Sequence, residues 1–540
     1  ARTSVRFAAR GVAGVGGLGA VAAYNQDEGF QRAAQFNYYV LPIALHYKAV
    51  QLLGRLVWDE EATNMAFARL HKMYAPRTLD IILRQKGFYV KTAQFLSQYP
   101  DVIPEEYVDA YKVLRDDAPA MPFAAVKALI ERDFGLPFHR IFLQCDSKPL
   151  GAASIGQAHA ARLLDGTEVV VKVQYPGAER QFHIDIDLSI RCASMLAPYY
   201  VDILRQLQKT FANEFDYRRE AKLQREALTN LKDVPYVVVP APVDAEHPRC
   251  PPEFSDGGMI TKNVFVMERL RGVSVDRWAQ DRLRELAARE GLGGPEEALR
   301  RIQALSAEEL SRLVPSETAL RAIGTIVGAR DAIRNWSAFA YNWTLGWVGA
   351  PIAYERSPRI VNVHQVAERL FRVQAHCIFE HGFFNGDPHA GNMLLLEDGR
   401  LGLIDWGQVA RLSSQQRCLF AQAVLAVADR DEPAIARLAW EMGVRTEQRC
   451  DWVAMKLGTF WLGSFGEDVV GELGGATAFE GNLARIDQLV GTAEDYFAVV
   501  RCMMMTRGVA ALVGFPFTDS AVRMRTAAQG CLNRAGVRFE

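Results

Sequence analysis

Residues 383–408 read Phe-Phe-Asn-Gly-Asp-Pro-His-Ala-Gly-Asn-Met-Leu-Leu-Leu-Glu-Asp-Gly-Arg-Leu-Gly-Leu-Ile-Asp-Trp-Gly-Gln. Two short apolar runs, 393–396 and 401–404, flank Asp398-Gly399, which is a strong local signal for a tight β-hairpin. Asp387 and Asn392 stand five residues apart on the way into the first run, and Asp405 follows directly on the second. Two carboxylates and an amide are thereby expected around one hairpin. Two turn-forming clusters beside a hairpin would not require that combination. Oxygen donors of this kind are what a hard cation such as magnesium takes, one or two carboxylates at a time, with phosphate oxygens completing the shell.

Asp-x-x-x-x-Asn followed by Asp-Trp-Gly after a hairpin is the spacing of a kinase catalytic loop and its Asp-Phe-Gly. In that reading Asp387 orients an incoming hydroxyl or water and accepts its proton, while Asn392 and Asp405 hold Mg2+. Upstream, Lys172 lies in Val-Val-Val-Lys-Val-Gln (169–174), like the strand lysine that contacts nucleotide phosphates. A loop of small residues, Gly151, Ala152, Ala153, Ser154, Ile155 and Gly156, precedes it, and small residues let a backbone approach phosphates. A second Asp-Gly turn, Asp165-Gly166, makes a hairpin of the segment ending in Lys172. One long helix is expected over 181–230, with Ile203, Leu207, Phe211 and Phe215 on its packed face. Glu220 in that helix is the natural ion-pair mate of Lys172, and Asp216, one turn earlier, is expected on the same face. A β-rich lobe followed by a helical lobe implies an α+β, two-lobed, kinase-like fold.

The combination resembles the UbiB family of atypical kinase-like proteins, the aarF-domain proteins. Three segments carry the resemblance beyond the generic kinase features. Lys91-Thr-Ala-Gln94 with the following Phe-Leu-Ser-Gln-Tyr-Pro looks like the family's Lys-x-Gly-Gln signature; Pro-Leu-Gly-Ala-Ala-Ser-Ile-Gly-Gln-Ala-His (149–159) looks like its alanine-rich nucleotide loop; and Glu214, Asp216 and Glu220 fall in a segment similar to its Glu-x-Asp helix. The resemblance implies ATP or ADP with Mg2+ as cofactors. It implies Asp387, Lys172 and Glu220 as catalytic residues and Asn392 and Asp405 as metal ligands. Lys91 and Gln94, packed over the nucleotide cleft, join Glu268 and the 151–154 loop as nucleotide-binding residues. It also implies a role in prenyl-lipid metabolism, with coenzyme Q favoured, and a peripheral position on an organellar inner membrane, mitochondrial in the first instance and plastidic as the alternative. There are departures: Ala93 replaces the signature glycine, Gly151 an alanine, Asn385 the usual histidine and Ala390 a proline. Two other readings stay open. The Gly-Asp-Pro-His-Ala-Gly-Asn run also suits a small-molecule phosphotransferase, and a kinase fold can serve as a scaffold subunit of a respiratory or other membrane complex.

The 540 residues exceed what one core usually supports. The expected division is 1–80 for membrane- or partner-facing helices, 81–148 for a helical extension, 149–275 for the small lobe, 276–360 for an insertion and 361–540 for the helical lobe. A net charge of −1 argues against a nucleic-acid partner. The eight cysteines are scattered without a Cys-x-x-Cys pair, so a reducing compartment fits better than disulfides or zinc. Arg2, Arg6 and Arg10 precede the first acid, Asp27, in a stretch of Ala, Gly, Val and Ser, the composition of a transit peptide or its remnant. Residues 335–354 carry no charge but include three Trp and two Tyr. They approach the about 20 residues a span needs, yet two Asn, a Ser, a Thr and a late Pro make a buried aromatic helix or an interfacial or partner-facing surface the better expectation.

Overall fold

The computed structural model describes residues 28–540 apart from 86–88, 91, 94–103, 112, 114–119, 154, 197–200, 304, 306–308, 310–311, 313–314, 345–346, 348, 355–360, 465, 474–478, 516–518 and 538–540. Two compact units divide the chain: Ala1–Ala221 with Pro242–Glu268, and Lys222–Ala241 with Arg269–Glu540.

The first unit opens on an antiparallel helix pair, α1 (Glu28–Leu56) and α2 (Glu60–Gln85), joined by α3 (Glu105–Tyr111). Val50, Leu70 and Tyr74 are buried where they meet. Aromatic hydroxyls there are satisfied across the helices: Tyr47 Oη lies 2.7 Å from His71 Nδ1 and 2.8 Å from Tyr107 Oη. Burial of polar groups is tolerated when they are bonded in this way. Helix α4 (Phe123–Phe134) ends on Gly135 in the left-handed region, φ 67°, where glycine has no Cβ penalty. Strands β1 (Phe142–Cys145), β2 (Gly151–Ala152), β3 (Gly156–Leu163) and β4 (Glu168–Gln174) follow.

The region expected as one helix over 181–230 is three: α5 (Ala178–Leu196), α6 (Val201–Ala212) and, beyond a single 3-10 turn at Asn213–Phe215, α7 (Tyr217–Asn230). Asp216 is extended (φ −133°, ψ 99°) and so stands outside α7, not one turn along the face of Glu220. Its carboxylate accepts from the Arg218 backbone N–H at 3.0 Å and from the Arg218 guanidinium. Short acids favour such bonds at helix starts over continuing a helix. Within α6 and the turn, Phe211 and Phe215 are buried as the four-residue spacing implies.

The chain leaves the first unit within α7, contributes β5 (Val237–Val238) to the second, and returns as β6 (Val264–Glu268). The first sheet has the order β1-β3-β4-β6, with β2 paired to β3, all antiparallel. Strand periodicity fixes its two faces. Val169, Val171 and Val173 are fully buried against α4 through Val126 and Ile130. Val170 and Lys172 point the other way, toward Tyr217 and Ala221 of α7, beside Phe265 and Met267 of β6.

The second unit carries the hairpin predicted around Asp398-Gly399, with Gly399 at φ 85°. Its sheet runs β5-β10-β9-β7, from β7 (Gly272–Ser274), β9 (Met393–Leu396) and β10 (Leu401–Leu403), and a separate pair joins β8 (Phe383–Asn385) to β11 (Val409–Arg411). Helices α8 (Val275–Glu290), α9 (Pro295–Gln303), α10 (Glu317–Thr344) and α11 (Val363–His376) come before the site loop. Helices α12 (Ser414–Asp429), α13 (Glu432–Glu441), α14 (Asp451–Leu462), α15 (Glu467–Val470), α16 (Phe479–Ile486), α17 (Glu494–Leu512) and α18 (Ser520–Ala535) follow it. Phe371, Phe379, Phe420, Val424 and Leu438 sit in one continuous core. A two-stranded pair, β12 (Arg445–Thr446) with β13 (Leu489–Gly491), interrupts a region expected to be wholly helical. An antiparallel sheet unit followed by a helical unit makes the chain α+β and kinase-like in fold.

Candidate functional site

In the first unit, β4 and α7 bring Lys172 and Glu220 together. Lys172 Nζ donates to Glu220 Oε1 at 2.5 Å, with the two side chains 14% and 10% exposed. Strand register explains the geometry: Lys172 sits between Ala158 of β3 and Phe265 of β6. The small Ala158 leaves room, and the ammonium lies 5.9 Å from the centroid of the Phe265 ring. A pair so enclosed costs desolvation, which only close contact and further partners offset.

The small-residue loop precedes this pair. Gly151 and Ala152 pair with Ala158 and Gln157, and Ala153 N donates to Gly156 O at 2.7 Å. Gly156 is required sterically: a Cβ there would lie 2.4 Å from Val173 O and 2.9 Å from Tyr217 Oη. At Gly151 a Cβ would meet nothing within 4 Å, so the alanine common in the resembling family would fit as well. Gln157, buried, accepts from Met121 N at 2.6 Å and contacts His159 Nε2 at 2.8 Å. Both ends of its amide are thereby bonded within the protein. Glu268 ends β6, half exposed, with Oε1 3.5 Å from His247 Nε2. Lys91, Gln94 and Ser154 lie outside the described residues.

In the second unit, Asp387, Asn392 and Asp405 are gathered by backbone bonds at one end of the β9–β10 hairpin. Residues Ala390–Asn392 form a 3-10 turn; Asn392 N donates to His389 O at 3.0 Å, and Ile404 N donates to Asn392 O at 3.1 Å. Asn392 is therefore set beside the residue preceding Asp405. Asp405 Oδ1 accepts from Gly407 N at 3.0 Å, and Trp406, buried and stacked on Phe383 with centroids 5.9 Å apart, holds the turn against the core.

Asn385 joins the two loops. Its Nδ2 donates to Asp405 O at 2.7 Å, and its Oδ1 accepts from Asp387 N at 2.8 Å. One buried amide thus fixes the backbone at both carboxylates. From α17, Arg501 donates to Gly386 O through Nε (2.9 Å) and Nη2 (2.6 Å), and to Gln408 Oε1 at 2.8 Å. Gly386 N in turn donates to Gln408 O at 2.6 Å. Asn392 and Asp405 supply an amide and a carboxylate, oxygen donors of the kind magnesium takes. Among the described residues no group of three or more His, Cys, Asp or Glu is placed to hold a metal by itself.

A family model described as the ABC1 atypical kinase-like domain matches residues 113–290 and 347–439, just over half of the chain. The chain belongs to the ABC1 atypical kinase-like family. Lys172, Glu220 and Glu268 lie in the first matched block of this ABC1 domain, and Asp387, Asn392 and Asp405 in the second. Several curated relatives carry kinase names, among them a bacterial and a plant protein. One, named "Probable protein kinase UbiB", from Marinobacter nauticus, is 30% identical over 206 residues, 36% of this chain and 35% of that protein. The other, "Protein ACTIVITY OF BC1 COMPLEX KINASE 8, chloroplastic", from Arabidopsis thaliana, is 26% identical over 408 residues, 73% of this chain and 42% of that protein. The chain thus spans less than half the length of each. A solved structure, the erythromycin complex of Rv3197 from Mycobacterium tuberculosis, aligns with a TM-score of 0.46 and 18% identity over 87% of this chain and 98% of that one.

Two residues that hold the candidate site in place escaped the reading of the sequence. Asn385 registered there only as a departure from histidine; the usable signal was that Asn, like His, offers both a donor and an acceptor two residues before an aspartate. Arg501, 115 positions from Gly386, had no local signal at all.

Proposed function

We propose that the chain binds Mg-ATP and transfers or hydrolyses its terminal phosphoryl group, in support of prenyl-quinone metabolism at an organellar inner membrane. The observation that carries this reading is the Asn385 bridge, which orients Asp387 and Asp405 as one unit with Asn392 alongside. Lys172, held by Glu220, contributes a fixed cation for nucleotide phosphates. Asn392 and Asp405 would hold Mg2+, which when bound neutralises phosphate charge. Asp387 orients the attacking hydroxyl or water and takes up its proton. The resemblance to the UbiB family supports quinone chemistry, and a relative named as chloroplastic supports an organelle; the acid-poor, basic amino-terminal composition agrees.

Peripheral attachment is part of the proposal. Helix α1 leaves Tyr38, Leu41, Leu45, Leu52 and Leu56 exposed along one stripe. No helix among the described residues is long and apolar enough to cross a membrane.

The test is the thermal stabilisation of the protein by ATP with and without magnesium. Wild type is expected to gain stability that depends on Mg2+, and Asp405→Asn to lose that part while keeping its fold. An unchanged magnesium-dependent shift in Asp405→Asn overturns the assignment. Nucleotide binding without any turnover would favour a scaffold role, a second reading supported by the aromatic surface of α10.

A further inference from the structure

Helix α10 turns an apolar face to solvent. Ile326, Ile333, Trp336 and Trp343 follow one another at intervals of seven, three and seven, which places them on one stripe. Their exposures are 67%, 71%, 75% and 78%, and Trp347 just beyond the helix reaches 82%. Ala338 is the one side chain of α10 buried among the described residues, and it lies on the opposite face. Exposed large side chains scattered singly need no explanation, but a contiguous aromatic patch marks a contact surface.

Beyond the helix, the chain folds back and is strapped to it. Asn342 Nδ2 donates to Ile352 O at 2.9 Å, and Ile352 N donates to Asn342 Oδ1 at 2.7 Å. Trp347 Nε1 donates to Thr344 O at 2.6 Å. Of the polar groups that dilute this stretch in the sequence, Asn342, Ser337 and Thr344 are thus bonded within the element, the two hydroxyls to Arg334 O and Ala340 O. What projects is Trp343, Trp347, Ile352 and Tyr354, all exposed.

Charge is segregated along the same element. Residues 335–354 have none, while Arg321, Arg330 and Arg334 are exposed on the preceding turns. Two of these arginines are paired within the helix, Arg330 with Asp331 and Arg321 with Glu317, and the three arginines against the two acids leave a net charge of +1 over 317–334. All of α10 falls between the two blocks matched to the ABC1 domain.

We infer that α10 and its strapped end form a lipid-docking element that lies along an anionic bilayer. Arginines at the level of the phosphates and tryptophans at the boundary between headgroups and acyl chains are the composition of an interfacial helix. A protein groove would have to match three tryptophan rings in shape, whereas a lipid interface accepts them without complementarity. The inference deepens the peripheral attachment proposed above, rests on it for the presence of a bilayer, and is independent of the nucleotide chemistry.

The experiment is flotation of the full chain with vesicles of phosphatidylcholine and phosphatidylglycerol. The variant Trp336→Ser, Trp343→Ser, Trp347→Ser is compared with Leu45→Glu, Leu52→Glu on α1. Wild type is expected to float and its tryptophan emission to shift to the blue. The α10 variant should bind at least about tenfold more weakly, because three aromatic rings no longer leave water. Its melting temperature and magnesium-dependent ATP shift should stay unchanged, since the altered residues are exposed. Undiminished flotation of the α10 variant overturns the inference. If only the α1 variant fails to float, peripheral attachment stands and the role of α10 falls. If wild type does not float, both fall. A wild-type dimer that the α10 variant makes monomeric would identify a second copy as the occupant and overturn the lipid assignment.

Discussion

Replacing Asn385 by alanine removes two hydrogen bonds at once. Both run to backbone groups, Asp405 O at 2.7 Å and Asp387 N at 2.8 Å, and the side chain is only 9% exposed. Leaving a buried donor or acceptor unmade costs about 1–3 kcal/mol, so for two such groups the expected loss is roughly 2–6 kcal/mol, a large share of a domain's stability. The loss falls where Asp387 and Asp405 are positioned, so the magnesium-dependent ATP shift should weaken together with stability. Asn385→Asp separates the two bonds. Its carboxylate keeps the acceptor for Asp387 N but, when ionised, faces Asp405 O with no proton to donate. Burial and that carbonyl should raise its folded pKa above the unfolded value of about 3.9. A raised folded pKa means stability that is present at low pH and lost as pH rises through the folded value. The stability deficit of Asn385→Asp relative to wild type should therefore be larger near pH 8 than near pH 5. Denaturant titration of the three proteins at both pH values, with thermal shifts in Mg-ATP, is the assay. An Asn385→Ala protein as stable as wild type, with its nucleotide shift intact, would refute the bridge as a positioning device.

Three further expectations concern the first unit. Lys172→Met leaves Glu220, a carboxylate 10% exposed, without its ammonium, and should destabilise by about 3–5 kcal/mol. Adding Glu220→Gln should restore part of that loss, and denaturation midpoints that worsen in the double variant would contradict it. Gly156→Ala should cost about 1–3 kcal/mol, because its Cβ would lie 2.4 Å from Val173 O. Gly151→Ala, with no atom within 4 Å of the new Cβ, should melt within about 0.5 kcal/mol of wild type, and equal effects at the two glycines would refute the steric account.

What the sequence by itself determined is what short-range chemistry can encode. The Asp398-Gly399 turn sets the β9–β10 hairpin, and with it Asn392 before the first strand and Asp405 after the second. The Val-Val-Val-Lys-Val run marked Lys172 as a strand residue, but only the sheet shows it on the face opposite Val169, Val171 and Val173. Glu220 could be named as a mate only by analogy. Its contact across 48 positions depends on where α7 packs, and Asp216, read as part of the same helix, turned out to end an extended break before it. The Asn385 bridge and the Arg501 clamp join segments 20 and 115 positions apart, and no periodicity carries such pairings. The aromatic stretch after residue 335 looked too polar from composition alone, because composition counts Asn342 as polar wherever it points. Only the tertiary structure shows its amide spent on Ile352, with the tryptophans left outside. Hydrogen-bonding groups declare their partners only once the chain has folded, and that is why the motif was legible and its supports were not.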